Sequence, residues 1–225
     1  MSVLPRFITL EGIDGAGKST HMDWLTEALR QRGVNVVVTR EPGGTTLGEQ
    51  WRNQLLHETM TRETQMLLMF AARSEHLAQV IRPALARGDW VLCDRFTDAT
   101  YAYQGGGHGV STDTITHLAH WLHSDCMPDL TLLFDVPLEV SQERLQAGGR
   151  ALDRFECEPD GFMQRVRDAY LELARQAPQR YRVIDGRNSI DAIRDELRGV
   201  LDALFESQQP HPHPNPPLEG EGFVS

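Results

Sequence analysis

Short apolar runs alternate along the chain with longer stretches in which apolar residues recur every three or four positions. Residues 6–11 (RFITLE) form a β-branched and aromatic run that ends at glycine, which predicts a strand. In residues 18–32, Met22, Leu25 and Leu29 share one helical stripe, and Gly33 suits the helix stop. Residues 34–39 (VNVVVT) predict a second strand, and a turn-rich Glu41-Pro42-Gly43-Gly44 follows. Helices are expected over 46–57 and 63–87, the latter kinked near Pro83 because proline breaks the backbone ladder. Three further short strands, 90–94 (WVLCD), 130–135 (LTLLFD) and 181–185 (YRVID), each end on an aspartate. Helices over 112–124, 138–146, 161–177 and 189–207 complete the pattern.

Short apolar strands separated by helices imply a parallel sheet covered on both faces. Right-handed crossovers then bring the strand C-termini, and the loops leaving them, to one edge. Asp94, Asp135 and Asp185 all fall at such ends. The expected fold class is therefore α/β, a five-stranded parallel sheet flanked by helices, within one domain over 1–206. The segment 207–225 (SQQPHPHPNPPLEGEGFVS) has no apolar periodicity, is dense in proline, glycine and polar residues, and reads as a disordered tail.

Composition narrows the function classes. The 225 residues carry 22 Lys plus Arg against 32 Asp plus Glu, a formal net charge of −10, which argues against a nucleic-acid platform. No apolar run reaches the roughly 20 residues that span a bilayer, and the N-terminus has no leader pattern, so a cytoplasmic protein without membrane contact is expected. Cys93, Cys126 and Cys157 have no CxxC spacing and read as reduced thiols. Lys18 is the only lysine; every other cation is arginine.

That lysine sits in Gly12-Ile13-Asp14-Gly15-Ala16-Gly17-Lys18-Ser19, a complete G-x-x-x-x-G-K-[ST] between a predicted strand and a predicted helix. Glycines let backbone N–H groups converge on phosphate oxygens, and the helix N-terminus adds partial positive charge. Lys18 reaches the β- and γ-phosphates as a compact charge on a flexible stem, Ser19 can ligate Mg²⁺, and Thr20 can donate to a phosphate. ATP with Mg²⁺ is the expected ligand of residues 12–20, and the fold is that of a P-loop NTPase. Asp14 is not needed for phosphate binding; it either lies in solvent or meets a polar group such as a sugar hydroxyl.

A guanine-specific switch requires N-K-x-D, and the only lysine is already used. A small-molecule kinase needs an acceptor pocket, arginines and a closing lid. Asp94-Arg95-Phe96 places an acid and a guanidinium at the sheet edge, either as a structural ion pair or as a water-mediated Mg²⁺ ligand beside an acceptor-phosphate ligand. Arg144, Arg150 and Arg154 surround Ala147-Gly148-Gly149, in a lid expected over about 144–158 or a solvated loop. Phe70 and Arg73 lie three apart on one helix face, for the core or for a planar base. His117, His120 and His123 recur every three residues and read as a solvated helix face; His211 and His213 lie in the tail.

Together these segments resemble bacterial thymidylate (dTMP) kinases from Arg6 to about Leu204, in FITLEGIDGAGKST (7–20), TREPGGT (39–45), LMFAAR (68–73), DRFTDATYAYQGGG (94–107), PDLTLLFDV (128–136) and Leu152-Asp153-Arg154. The resemblance implies phosphoryl transfer from ATP to dTMP by a homodimer. It implies a dTMP site made by Asp14, Glu41, Pro42, Phe70, Arg73, Arg95, Thr100, Tyr103 and Gln104. In it Arg95 holds the acceptor phosphate and Asp14 faces the 3′-hydroxyl. Phe70 stacks on thymine, Arg73 reads its carbonyl, Thr100 and Gln104 lie near the base edge, and Tyr103 stands where a 2′-hydroxyl would go. Glycine at position 15 with Arg150 and Arg154 in the lid resembles the type in which lid arginines serve the transition state. Lys18, Arg95, Arg150 and Arg154 are thus the expected catalytic set, with Ser19 and Asp94 toward Mg²⁺. Ala99 and Phe96 depart from the serine and the tyrosine or histidine common in the family. The alternatives are a kinase for another nucleotide or a deoxynucleoside, and a regulatory ATPase.

Overall fold

A computed structural model describes residue 4, residues 6–148 and residues 161–206. Five strands, β1 (Phe7–Glu11), β2 (Val36–Arg40), β3 (Trp90–Asp94), β4 (Leu130–Asp135) and β5 (Tyr181–Asp185), form one sheet in the order β2-β3-β1-β4-β5. Every pairing is parallel, with Leu10 opposite Asp94 and Leu132, so the C-termini of the three central strands share one edge. This is the P-loop NTPase fold expected from the alternation of strands and helices.

Alternate residues of the central strands feed two different cores, as the two-residue period of a strand requires. Ile8 and Leu10 of β1 and Trp90 and Leu92 of β3 pack with Leu25 and Leu29 of helix α1 (Lys18–Gln31) and Leu197 and Leu201 of α9 (Ile190–Glu206). Phe7, Val91 and Cys93 face the other way, onto Leu77, Ile81, Phe96 and Cys126. Cys93 and Cys126 are buried free thiols; Cys157 lies outside the described residues.

Helices α2 (Thr46–His57), α6 (Thr112–His123), α7 (Leu138–Ala147) and α8 (Phe162–Gln176) lie close to their expected places. The single helix expected over 63–87 is instead α3 (Arg62–His76), a π-helical turn over Leu77–Ile81, and a short α4 (Arg82–Ala86). The disturbance falls before Pro83, because the proline ring and its missing N–H act on the preceding turn, and widening that turn relieves the clash. Residues 97–107, to which the apolar spacing assigns no element, form α5 (Thr97–Thr100) and a π-helical stretch, Tyr101–Gly107. Three successive glycines hid that element from helix propensity.

His123 corrects the expectation of a solvated histidine face. It is fully buried, its Nε2 lies 2.8 Å from the Thr97 hydroxyl, and its ring packs against Phe96. On α6 it falls four residues after buried Ala119 and eight after buried Ile115, on the inward stripe, while His117 and His120 point to solvent. Burial, aided by the Arg73 cation, lowers its pKa from 6.5 to about 4. The folded state therefore takes up this proton less readily than the unfolded chain. The associated stability is complete above pH 6.5 and is lost as pH falls toward 4. We expect thermal melts between pH 6.5 and 4 to show a falling midpoint for the wild type and a flatter dependence for His123→Gln. Equal slopes would exclude His123 as the titrating group.

Candidate active site

Between β1 and α1 the chain makes the loop Gly12–Gly17, which glycine alone permits in this shape. Gly12 has φ 130°, and a Cβ there would stand 2.2 Å from the Phe134 carbonyl oxygen; Gly15 has φ 75°, and its Cβ would meet the Ser141 carbonyl at 2.7 Å. The loop ends on left-handed Gly17, which caps α1 without a side chain, so the first N–H groups of the helix stay available. Lys18 is buried and donates from Nζ to the Gly12 and Ile13 carbonyls at 2.9 and 3.0 Å, two of the three donors of an ammonium. Burial and nearby Arg95 lower its pKa, so its charge meets anions with little water to screen it.

The loop opens into a cleft lined by residues 14–21, Asp94, Arg144, Gly186, Asn188, Ile190 and Ile193. Gly12 and Ile13 lie below this surface and contribute carbonyls to Lys18. Arg144 clamps the rim, donating to the Gly186 carbonyl at 2.8 Å and to that of Gly15 at 3.3 Å. Asn188 and Ile190 escaped the sequence reading, since they reach this cleft only through the crossover that places β5 beside β4, and Arg144, expected in the lid, stands at the rim of the loop cleft.

A second cleft adjoins the first and shares Asp14 with it. It is lined by Glu41, Pro42, Arg52, Leu55, Leu56, Met69, Arg95, Ala99, Tyr103 and Gln104. Arg95 enters from the loop after β3 and donates from Nη2 to Asp14 Oδ1 at 2.9 Å and to the Tyr103 hydroxyl at 3.1 Å. Burial opposes its charge, but Tyr103 and Asp14 hold its pKa above the usual range. The ion pair anticipated as a structural alternative for Arg95 is thus made with Asp14, which neither lies free in solvent nor stands apart from a cation. Asp94 keeps one buried carboxylate oxygen, Oδ1, without a hydrogen-bond partner. Arg52 was not anticipated; burial and the Arg40 cation lower its pKa, with Arg95 contributing.

Arg73 is almost wholly buried. Its Nε donates to Glu41 Oε2 at 2.7 Å, and its Nη2 to the Phe96 carbonyl at 3.2 Å and the Thr100 hydroxyl at 3.0 Å. His76 Nδ1 lies 3.0 Å from the other Glu41 oxygen. Burial raises the Glu41 pKa, and Arg73 with His76 more than reverses that, leaving it below the usual carboxylate range. Arg73 Nη1 and Gln104 Oε1 are buried and have no hydrogen-bond partner, while Gln104 Nε2 donates to Gln65 at 3.0 Å. Phe70 is buried beside Met66, Ile115 and Ala119, with the Arg73 guanidinium 5.0 Å above its ring; it does not line the second cleft. Phe96 lies in the core below, and Ala99 reaches the cleft wall. Arg150 and Arg154 lie outside the described residues, as do most of the expected lid and the whole tail.

The model of the thymidylate kinase family matches residues 10–197. The chain belongs to the thymidylate kinase family. A thymidylate kinase of Cupriavidus necator is 61% identical over 198 residues, covering 87% of this chain and 97% of that protein. One from Bordetella petrii is 56% identical over 206 residues, covering 92% and 99%. The crystal structure of thymidylate kinase from Ehrlichia chaffeensis superposes with a TM-score of 0.72 at 36% identity, covering 88% of this chain and 99% of that one.

In this member of the thymidylate kinase family, the Glu41–Arg73 ion pair beside the second cleft is buried at both ends. Removing one partner leaves the other charge without compensation, at a cost of roughly 3–5 kcal/mol. Glu41→Ala is expected to lose about that much in urea unfolding. A loss within about 1 kcal/mol, as surface pairs give, would show that water reaches Arg73.

Proposed function

We propose that this chain transfers the terminal phosphoryl group of ATP to dTMP, giving ADP and dTDP. The observation that carries the reading is the meeting of two clefts: one is built on a phosphate loop, the other sets Glu41, Arg52, Arg95 and Gln104 among apolar residues, and they share Asp14, with Asp94 lining the first and adjacent Arg95 the second. ATP occupies the loop cleft and the monophosphate the other, so that donor and acceptor phosphates meet between Lys18 and Arg95.

The acceptor oxygen is already anionic, so the reaction needs little general-base help. The difficulty lies in bringing two polyanions together and stabilising the charge on the transferring group. Lys18 and the loop N–H groups receive the donor phosphates, and Arg95 receives the acceptor phosphate. Arg150 and Arg154 are assigned to the transferring group. Mg²⁺ fits beside Ser19 and Asp94, where a buried carboxylate oxygen has no other partner; no cage of three or more His, Cys, Asp or Glu occurs among the described residues, in keeping with an ion held largely by phosphates and water. When bound, Mg²⁺ neutralises charge on the donor phosphates.

Base selection follows from the unpartnered atoms. Thymine offers a carbonyl O4 and an N3–H, matching a guanidinium N–H of Arg73 and the Oε1 of Gln104; cytosine reverses both and leaves buried groups unpaired. Phe70 supports the base by holding Arg73 in place, and Thr100 accepts from Arg73. Tyr103 crowds the sugar at the 2′ position. We further infer a homodimer in the cytoplasm, joined through the exposed apolar residues Leu67 on α3 and Trp121 on the adjoining α6. Among the described residues no helix is long and apolar enough to cross a membrane, and the net charge of −10 disfavours nucleic acid as a partner.

Initial rates with MgATP and a panel of dTMP, dUMP, dCMP, dGMP and thymidine test the reading. We expect dTMP to be preferred, dUMP to follow, and dCMP to be rejected. Preferred turnover of another acceptor, or slow ATP hydrolysis indifferent to all of them, would replace it with another kinase or a regulatory ATPase. Lys18→Ala should nearly abolish transfer. Arg150→Ala and Arg154→Ala should lower kcat much more than they raise the KM for ATP, since arginines at such transition states contribute roughly 10³ to 10⁵ in rate. Unchanged turnover in both single variants and the double variant would remove the lid arginines from the mechanism.

A further inference from the structure

Arg95 is the only non-glycine residue among those described that has positive φ, at 69°. An arginine gains nothing intrinsic from that conformation and normally pays about 1 kcal/mol or more for it. Its surroundings specify the bend. The Arg95 N–H donates to the Leu10 carbonyl at 2.9 Å, continuing the sheet ladder one residue past β3. The next N–H, that of Phe96, turns inward and donates at 2.7 Å to Oε1 of Glu11. The other Glu11 oxygen, Oε2, lies 2.8 Å from the Tyr170 hydroxyl, and that hydroxyl receives Arg95 Nη1 at 3.2 Å.

These contacts close a ring. It runs from the Arg95 backbone through the Phe96 N–H, the Glu11 carboxylate and the Tyr170 hydroxyl, and returns to the Arg95 guanidinium. Glu11 is fully buried and Tyr170 is 1% exposed, so neither can trade these contacts for water. Neither lines either cleft. Thus one carboxylate fixes the backbone on which Arg95 sits, and the phenol bonded to it fixes the guanidinium. Asp14 and Tyr103 hold Nη2 from the cleft side, so the guanidinium is gripped at both terminal nitrogens.

We propose that Glu11 and Tyr170 are positioning residues for the acceptor phosphate, acting through Arg95 from beneath the site. The proposal rests on Arg95 as the ligand of that phosphate. Preorganisation is the physical content: a long arginine side chain otherwise loses rotamer entropy when it binds, and a bidentate grip on phosphate requires the guanidinium plane to be set beforehand. Burial lifts the Glu11 pKa from 4.5 to about 8, Asp98 adding to the rise, with Arg95, Tyr170 and the Phe96 N–H opposing it. A carboxyl kept at such cost, with both oxygens engaged, is better suited to holding geometry than to filling space.

The test is steady-state kinetics of the full-length protein with Tyr170→Phe, which keeps the ring packing and removes only the hydroxyl. We expect the KM for dTMP to rise roughly tenfold, the worth of one hydrogen bond to a charged group, with the KM for ATP within about twofold of wild type. Arg95→Lys is measured alone and combined with Tyr170→Phe. Because lysine lacks the second arm that Tyr170 holds, the phenylalanine substitution should add little in that background. An unchanged dTMP KM in Tyr170→Phe, or a full additional loss in the double variant, overturns the proposal. An unchanged dTMP KM in Arg95→Lys overturns instead the assignment of Arg95 to the phosphate, so the two failures are distinguishable. Glu11→Gln, which keeps the shape and one acceptor oxygen, should shift the dTMP KM in the same direction and less far; a change confined to thermal stability would reduce Glu11 to a folding role.

Discussion

Cations that are to meet phosphate must keep their charge where water is scarce, and that constraint organises the edge of this sheet. Burying an ion costs several kcal/mol unless a partner compensates it. Arg73 is compensated by Glu41, Arg95 by Asp14 and two phenols, and Lys18 by two backbone carbonyls. In each case the compensation is partial. Two carbonyls satisfy two of the three donors of an ammonium, and Arg73 retains Nη1 without a partner. The partners hold the groups in place and leave part of each for an incoming anion or carbonyl.

The same constraint explains the different chemistries of the lone lysine and the many arginines. An arginine with a fixed plane can be gripped on one side by protein and offer the other to substrate, as Arg73 does with its unpartnered Nη1. At the phosphate loop the Gly12 and Ile13 carbonyls take two donors of a compact ammonium and leave its third for a phosphate. A compact ammonium on a flexible stem fits beside such a loop. Elsewhere in the chain, wherever a permanent cation is needed, arginine serves.

Features carried by contiguous residues were legible in the sequence. The phosphate loop, its strand and its helix occupy a single stretch, and their physics is local. The five strands and most helices followed from apolar spacing, because each needs only one buried face. What escaped was decided by distant parts of the chain. Glu11 was read as the end of a strand, and Tyr170 as one residue of an amphipathic helix 159 positions away. Nothing local to either reveals that they meet under Arg95. Phe70 was open between core and base contact, and only the fold shows that it packs beside Met66, Ile115 and Ala119. His123 belonged to a regular histidine pattern on the sequence, yet the turn of α6 separates it from His117 and His120. The break after His76 needed the proline's effect on the preceding turn, not on its own position.

Unpartnered polar atoms give the site its final physical character. Most buried polar atoms in proteins are satisfied, so each exception carries a stability cost of about 1–3 kcal/mol. Asp94 Oδ1, Gln104 Oε1 and His21 Nδ1 are such atoms on residues that line the two clefts, and Arg73 Nη1 lies just behind. A fold selected only for stability would pair them or replace them with apolar groups. At the clefts these atoms are free to be completed by a bound ligand. Binding is then favoured not by contacts added to a satisfied surface but by the removal of an existing penalty, which falls only on a ligand with the right donors and acceptors. That reconciles a net charge of −10 with substrates that are themselves polyanions: the total charge repels weakly through screening solvent, while the few groups held dry at the sheet edge act at close range, where the interaction is strongest.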